Sequence, residues 1–344
     1  MTNTIIDIRS DTVTHPTPAM RKAMYEAELG DDVFEEDPTV NRLEAMAAQK
    51  LGKEAALFVA TGTMGNLVSI VTHCQRGDEV IVGDQCHSFF YEVGGAAVVG
   101  GLAWHCLPNG RGLPETSAVE DAIRIENIHA PRTGLICLEN THNRCGGVAF
   151  SSEQMKPIAD VAKRHGVPMH LDGARIFNAA IATGEPASTL AAPFASVQFC
   201  LSKGLCCPVG SLVVGAKDFI KRARKTRKML GGGMRQAGVL AAAGIVALDS
   251  MIDRLAEDHA NARLLAEGIA QIPGLAIDLS LVQTNIVVFE AVAVAPSTLI
   301  ARLAAEGVKI VPFGGKRCRA VTHYGIDREH IQTTLALLNR VMTS

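Results

Sequence analysis

The sequence predicts an α/β protein built on a mainly parallel sheet, followed by a smaller α+β unit. Between residues 55 and 215, short apolar runs alternate with segments of helical periodicity, the pattern of a sheet covered by helices. These runs are continuous rather than alternating, as in strands buried on both faces. After residue 253 a long amphipathic helix gives way to shorter strands and helices. A chain of 344 residues can hold a large core and a second, smaller one. The expected division is 1–252, a large unit with an N-terminal arm, and 253–344.

Residues 5–9 read as a brief strand, followed by Ser10-Asp11-Thr12 and a Pro16-Thr17-Pro18 turn. Pro18 opens a helix over 19–28, because proline suits a first turn whose N–H groups lack helical partners. The Ser-Asp-Thr cluster either caps the chain or presents a hydroxyl to a ligand. Residues 30–38 are acidic and turn-rich, which suits a solvated loop, a lid or a subunit edge; helical spacing resumes over 39–51. The strand at 55–60 leads through Thr61-Gly62-Thr63-Met64-Gly65-Asn66 to a helix over 67–73. Such a sequence can hold a phosphate, since N–H groups at the helix start face the anion and glycine permits close approach. It lacks the P-loop lysine and the dinucleotide spacing.

The strand at 80–84 ends shortly before His87, with Phe89, Phe90, Tyr91 and Glu92 behind it. A histidine there acts as a base, stacks on a flat cofactor, or simply bonds a loop. A strand region over 98–106, a glycine turn and a helix over 116–125 come next. The strand at 134–139 ends in Asn140-Thr141-His142-Asn143, and a helix over 152–165 leads to a strand at 167–171. The run at 210–214 is expected to be antiparallel, because too little chain precedes it for a crossover helix. Gly231-Gly232-Gly233 forms a mobile or tightly bent loop, or a C-cap, with Arg235 at its exit in position to pair with a phosphate. Helices over 237–248 and 251–270 follow. Strands at 275–279, 285–291, 309–312 and 317–324, with helices over 296–306 and 327–342, complete the chain. Arg319 and His323, near glycines, suggest a carboxylate-binding wall.

Charged residues make up 20% and nearly balance, with a formal net charge of −2, so nothing points to nucleic acid or an anionic membrane. The basic run Lys221 to Lys228 reads as a solvated helix face or subunit contact, or as positive potential for an anion. Nine cysteines, an odd number with no C-x-x-C, suggest a reduced, cytoplasmic protein without a zinc site. The N-terminus has no basic segment or apolar core of a signal peptide. The apolar helix over 237–248 is too short to span a bilayer.

Two strand ends carry the chemistry. Residues 167–171 end in Asp172 and 196–201 in Ser202-Lys203-Gly204, delivering an acid and an amine to one sheet edge, where open α/β folds bind ligands. Apolar surroundings favour a neutral, nucleophilic lysine. The pair suits Schiff-base chemistry, with the aspartate on the ring nitrogen of a pyridoxal cofactor; a surface lysine and a helix-capping aspartate are the alternative.

Five ordered motifs then carry a resemblance over nearly the whole chain: Arg9 to Thr14, Gly30 to Val33 with Glu36 to Thr39, Leu138 to Asn143, His170 to Arg175, and Ser202 to Leu205. They resemble low-specificity L-threonine aldolases, of the aspartate-aminotransferase-like (fold type I) class of pyridoxal 5'-phosphate (PLP) enzymes. The resemblance implies a mainly parallel seven-stranded sheet domain, a small C-terminal α+β domain, and a homotetramer of close dimers with active sites between subunits. It implies reversible cleavage of L-threonine, L-allo-threonine and other L-β-hydroxy-α-amino acids, such as β-phenylserine, to glycine and an aldehyde. Lys203 would hold PLP covalently, Asp172 would pair with its ring nitrogen and His87 would stack on the ring. Gly62 and Thr63 would bind phosphate, with Arg235 assisting, from the partner subunit if not its own. Ser10, Arg175 and Arg319 would hold the substrate carboxylate, Arg175 from a position beside the cofactor. His129 would lie near the substrate hydroxyl, and Tyr91 matches the pattern after the stacking histidine. The family commonly has Val-Tyr-Gly-Glu-Asp-Pro where this chain has Val33-Phe34-Glu35-Glu36-Asp37-Pro38, which bears on the side-chain pocket.

Overall fold

The computed structural model describes residues 5–343. Seven strands form the main sheet: β1 (Ala55–Val59), β2 (Glu79–Gly83), β3 (Ala103–Leu107), β4 (Thr133–Glu139), β5 (Met169–Asp172), β6 (Ser196–Cys200) and β7 (Ser211–Gly215). Their spatial order is β1-β7-β6-β5-β4-β2-β3. β7 runs antiparallel to both neighbours, as its short connection requires, and the other pairings are parallel. Every residue of β2, β4, β5, β6 and β7 is buried, which is why these strands are mostly apolar on both faces. β3 is the more open edge strand.

Beyond the sheet, β8 (Leu275–Ala276), β9 (Ile286–Ala291), β10 (Val311–Pro312) and β11 (Arg317–Val321) form a four-stranded antiparallel sheet in the order β10-β11-β9-β8. A second core gathers beside it, including Leu265, Ile269, Phe289, Leu299 and Leu338, and Ile6 and Ile8 from the arm belong to it. The segment Ile6–Asp7 pairs in parallel with Val308–Lys309. The expected strand at 309–312 is therefore two short ones, one serving the arm and one serving β11.

Two other expectations change. The region at 98–106 is a helix, Gly95–Gly100, before β3 begins; Gly94 and Gly101 bracket it at φ +68° and +63°, a left-handed geometry that glycine adopts at little cost. The helix expected from Leu67 starts at Gly62, because Thr61 caps it by accepting the Met64 N–H. The basic run lies in the helix Lys217–Met229 and is not simply solvated. Arg227 is buried, 2.6 Å from Asp32, while Arg224 lies 2.8 Å from Glu44. The acidic loop is anchored too. Asp37 caps the helix Pro38–Leu51 and accepts the Gly238 N–H at 2.8 Å. Glu35, where the resembling family has glycine, sits at φ +61°.

Candidate active site

The parallel strands put their C-terminal ends on one edge, and a cavity of about 340 Å³ opens there. Thr61, Gly62 and Thr63 reach it from the helix after β1, Asp172 from the end of β5, and Lys203 from the turn after β6. Larger cavities of about 740 and 880 Å³ lie elsewhere, but neither collects a carboxylate, an imidazole and an amine from separate strand ends. The helix start forms one wall. A Cβ on Gly62 would fall 2.8 Å from Cys200 Sγ and 3.2 Å from Gln198 Nε2, so the backbone packs where only glycine fits. N–H groups in a first helical turn have no helical acceptors and suit an anion.

Asp172 is buried, with each oxygen held once: Oδ2 accepts from Asn66 Nδ2 at 2.8 Å and Oδ1 from the Ala174 N–H at 3.1 Å. His87 forms another wall of the cavity. Its N–H donates to Glu139 Oε2 at 2.6 Å, and its Nδ1 lies 3.0 Å from Glu92 Oε1. Burial opposes a charge on this imidazole, but Glu92, Asp172 and Glu139 outweigh it and raise its pKa. Lys203, half-buried, is set by a tight turn: its carbonyl accepts the Cys206 N–H at 2.9 Å and the Thr14 hydroxyl at 2.9 Å.

Arg175 is committed within the chain. Its fork is bidentate toward Asp11, with Nε and Nη2 each 2.7 Å from a carboxylate oxygen. Burial alone would raise the Asp11 carboxyl; the Arg175 guanidinium outweighs it and holds it well below the usual range. Only Nη1 of Arg175 is left outside this fork. Arg319 donates to Asn143 Oδ1 at 3.1 Å and the Arg9 carbonyl at 3.3 Å, while its buried Nε has no partner among the described residues. Burial and the neighbouring Arg175 lower its pKa, and the Asp11 carboxylate offsets part of this. Ser10 adjoins Arg9, and its hydroxyl accepts from the Thr12 N–H and hydroxyl.

Ser10, Arg175 and Arg319 lie outside the cavity lining, and three further predicted residues stand apart from it too. Tyr91 bonds Arg144 through its hydroxyl at 2.8 Å, with its ring 5.3 Å from that of His87. His129 lies in an exposed loop. Arg235, exposed, pairs with Asp31 at 3.2 Å, so its own chain does not bring it to the helix start. Sequence reasoning gave Asp11, Asn66 and Glu139 no specific role. Their only local signal was a polar residue inside an otherwise apolar element or a capping cluster.

An acid, an amine and an anion-binding helix start, converging at the strand ends of this sheet, define a lysine-dependent α/β enzyme of the Schiff-base class. The beta-eliminating lyase family model matches residues 7–292. The chain is 46% identical over 344 residues to low-specificity L-threonine aldolase 1 of Arabidopsis thaliana, covering 98% of this chain and 96% of that one. It is 43% identical over 333 residues to low specificity L-threonine aldolase of Escherichia coli (strain K12), covering 96% and 98%. The chain belongs to the beta-eliminating lyase family and, within it, to the low-specificity L-threonine aldolases. The solved structure of Leishmania major threonine aldolase superposes with a TM-score of 0.85 at 19% identity, covering 98% and 99% of the chains; that likeness speaks for the fold.

Proposed function

We propose that this protein cleaves L-threonine, L-allo-threonine and other L-β-hydroxy-α-amino acids to glycine and an aldehyde, reversibly, using pyridoxal 5'-phosphate. The observation that carries this is the convergence of Lys203, Asp172 and the Gly62–Thr63 helix start on one cavity. The donor set fits the cofactor: an amine for its aldehyde carbon, a carboxylate for its ring nitrogen, and N–H groups for its phosphate. Bound there, pyridoxal phosphate supplies an electron sink for the bond that breaks.

The residues divide the remaining work. Asp172 holds a proton on the ring nitrogen, and His87 covers the ring face. Arg319, Arg175 through Nη1, and Ser10 hold the substrate carboxylate, fixing the Cα–Cβ bond relative to the ring. His87, or His129 from outside the lining, takes the β-hydroxyl proton, and Tyr91 borders the side-chain end. The exposed Arg235 reaches the phosphate of a partner subunit in a homotetramer of close dimers; the glycine loop before it supports this. A cytoplasmic location fits nine cysteines that are all free. No helix among the described residues is long and apolar enough to cross a membrane. The division at 252/253 is supported by the separate core of the C-terminal part.

A product assay on L-threonine tests the reading. We expect glycine and acetaldehyde in equal amounts, and loss of both in Lys203→Ala. Release of 2-oxobutyrate and ammonia instead, or wild-type turnover by the variant, sinks the proposal.

A further inference from the structure

We propose that His170, Ser196 and His73 are positioning residues, which with Asn66 form a one-directional hydrogen-bond relay that fixes Asp172 toward the cofactor ring. This rests on the reading of Asp172 as the partner of the ring nitrogen.

The direction of the relay follows from counting hydrogens. Asn66 Nδ2 donates to Asp172 Oδ2 and to Glu92 Oε1, each at 2.8 Å, so both amide hydrogens are used. Its Oδ1 is therefore the acceptor facing His170 Nε2 at 3.1 Å, and that nitrogen carries a hydrogen. In a neutral ring, His170 Nδ1 then accepts, and the Ser196 hydroxyl 2.8 Å away donates to it. With its one hydrogen spent, Ser196 Oγ accepts from His73 Nε2 at 2.9 Å. From His73 through Ser196 and His170 to Asn66, each donor points toward the Asp172 end.

Such a line requires a neutral His170, whose Nδ1 must accept, and burial supplies it, lowering His170 to about 4 as it lowers His73 to about 3. The fold also sets the spacing. Asn66 and His73 lie seven positions apart on the helix Gly62–His73, hence on one face. His170 and Ser196 are register partners across β5 and β6. Asn66, His170 and Ser196 are each at most 1% exposed, and the His73 ring stacks on Phe219 at 4.4 Å. Buried polar groups cost stability unless satisfied. This set is satisfied along one line that ends, through the two hydrogens of Asn66, on Asp172 and on Glu92. Since Ala174 holds Oδ1 of Asp172, that carboxylate cannot turn, and the proton it shares with the ring stays on the ring nitrogen.

The test uses holoenzyme with nitrogen-15 in the cofactor ring, compared across wild type, Ser196→Ala, Ser196→Thr and His73→Leu. Ser196→Ala is expected to move the ring-nitrogen resonance toward the unprotonated position. It should also lower kcat about tenfold while KM stays within about twofold, as for one lost hydrogen bond acting through the ring. Ser196→Thr should restore both. His73→Leu, at the half-exposed end, makes the same comparison if the core variant does not fold. Folded variants with wild-type resonance and kcat, and only a lowered Tm, would show a packing role and overturn the relay. Borohydride trapping separates the two readings. Failure to fix the cofactor to Lys203 in wild type overturns the site reading and the relay with it; fixation there with an unmoved resonance overturns the relay alone.

Discussion

His87 sits among three carboxylates, and that setting makes its role measurable. Its folded pKa is raised chiefly against burial by Glu92. A raised imidazole contributes stability below its unfolded pKa and loses it as pH climbs through the folded value. Catalysis has the opposite sign if the neutral ring takes the substrate's hydroxyl proton, since activity then appears as pH climbs through that value. Replacing Glu92 by Gln removes the negative charge and lowers the His87 pKa. The acidic limb of the kcat/KM profile should then move to lower pH. A limb that stays in place would assign His87 to ring stacking alone. The Asp11–Arg175 pair carries the complementary lesson. A buried guanidinium committed to a carboxylate is a scaffold as well as a binding group, and it ties the chain near residue 11 to the end of β5.

At the scale of elements, the helix Gly62–His73 serves two purposes. Its first turn forms the anion wall, and its buried face carries Asn66 and His73 into the relay. Gly62→Ala tests the first purpose separately. Its methyl would meet Cys200 Sγ at 2.8 Å, and overpacking of this kind costs roughly 1–3 kcal/mol. Cofactor affinity, titrated by absorbance into apoprotein, should fall by about tenfold or more, as a cost of that size implies. The strands were legible because burial on both faces leaves a mostly apolar signature, and β7 was legible from a connection too short for a crossover. The start of this helix was not, because Gly62 and Gly65 dilute helical periodicity and the Thr61 cap is a single hydroxyl. Lys203 and Asp172 stood out because a strand end is a local feature. The Arg175 fork did not, because its partner lies 164 positions away and spacing carries no record of that contact.

At the scale of the whole molecule, the single chain leaves its anion wall without Arg235, which is held by Asp31 on the outside. If Arg235 crosses to a partner, Lys203→Ala and Arg235→Ala subunits should each be inactive alone. Mixed oligomers of the two should regain aldehyde release, because one site in the mixture then holds both residues. No recovery on mixing would place Arg235 outside the site.

The arm carries a consequence for how the protein is made. Asp7 accepts a hydrogen bond from His323, 316 positions away, and Ile8 accepts one from Val321. Thr14, a few residues further on, holds the carbonyl of Lys203. The ribosome therefore delivers the arm early but supplies its partner His323 only 316 positions later. Until then Ile6 and Ile8 have no core to enter, and contacts of such long sequence separation form late. The nascent chain can assemble its main sheet while the arm that carries Thr14 toward Lys203 is still unanchored, so the site is fully braced only once the strand Arg317–Val321 has emerged.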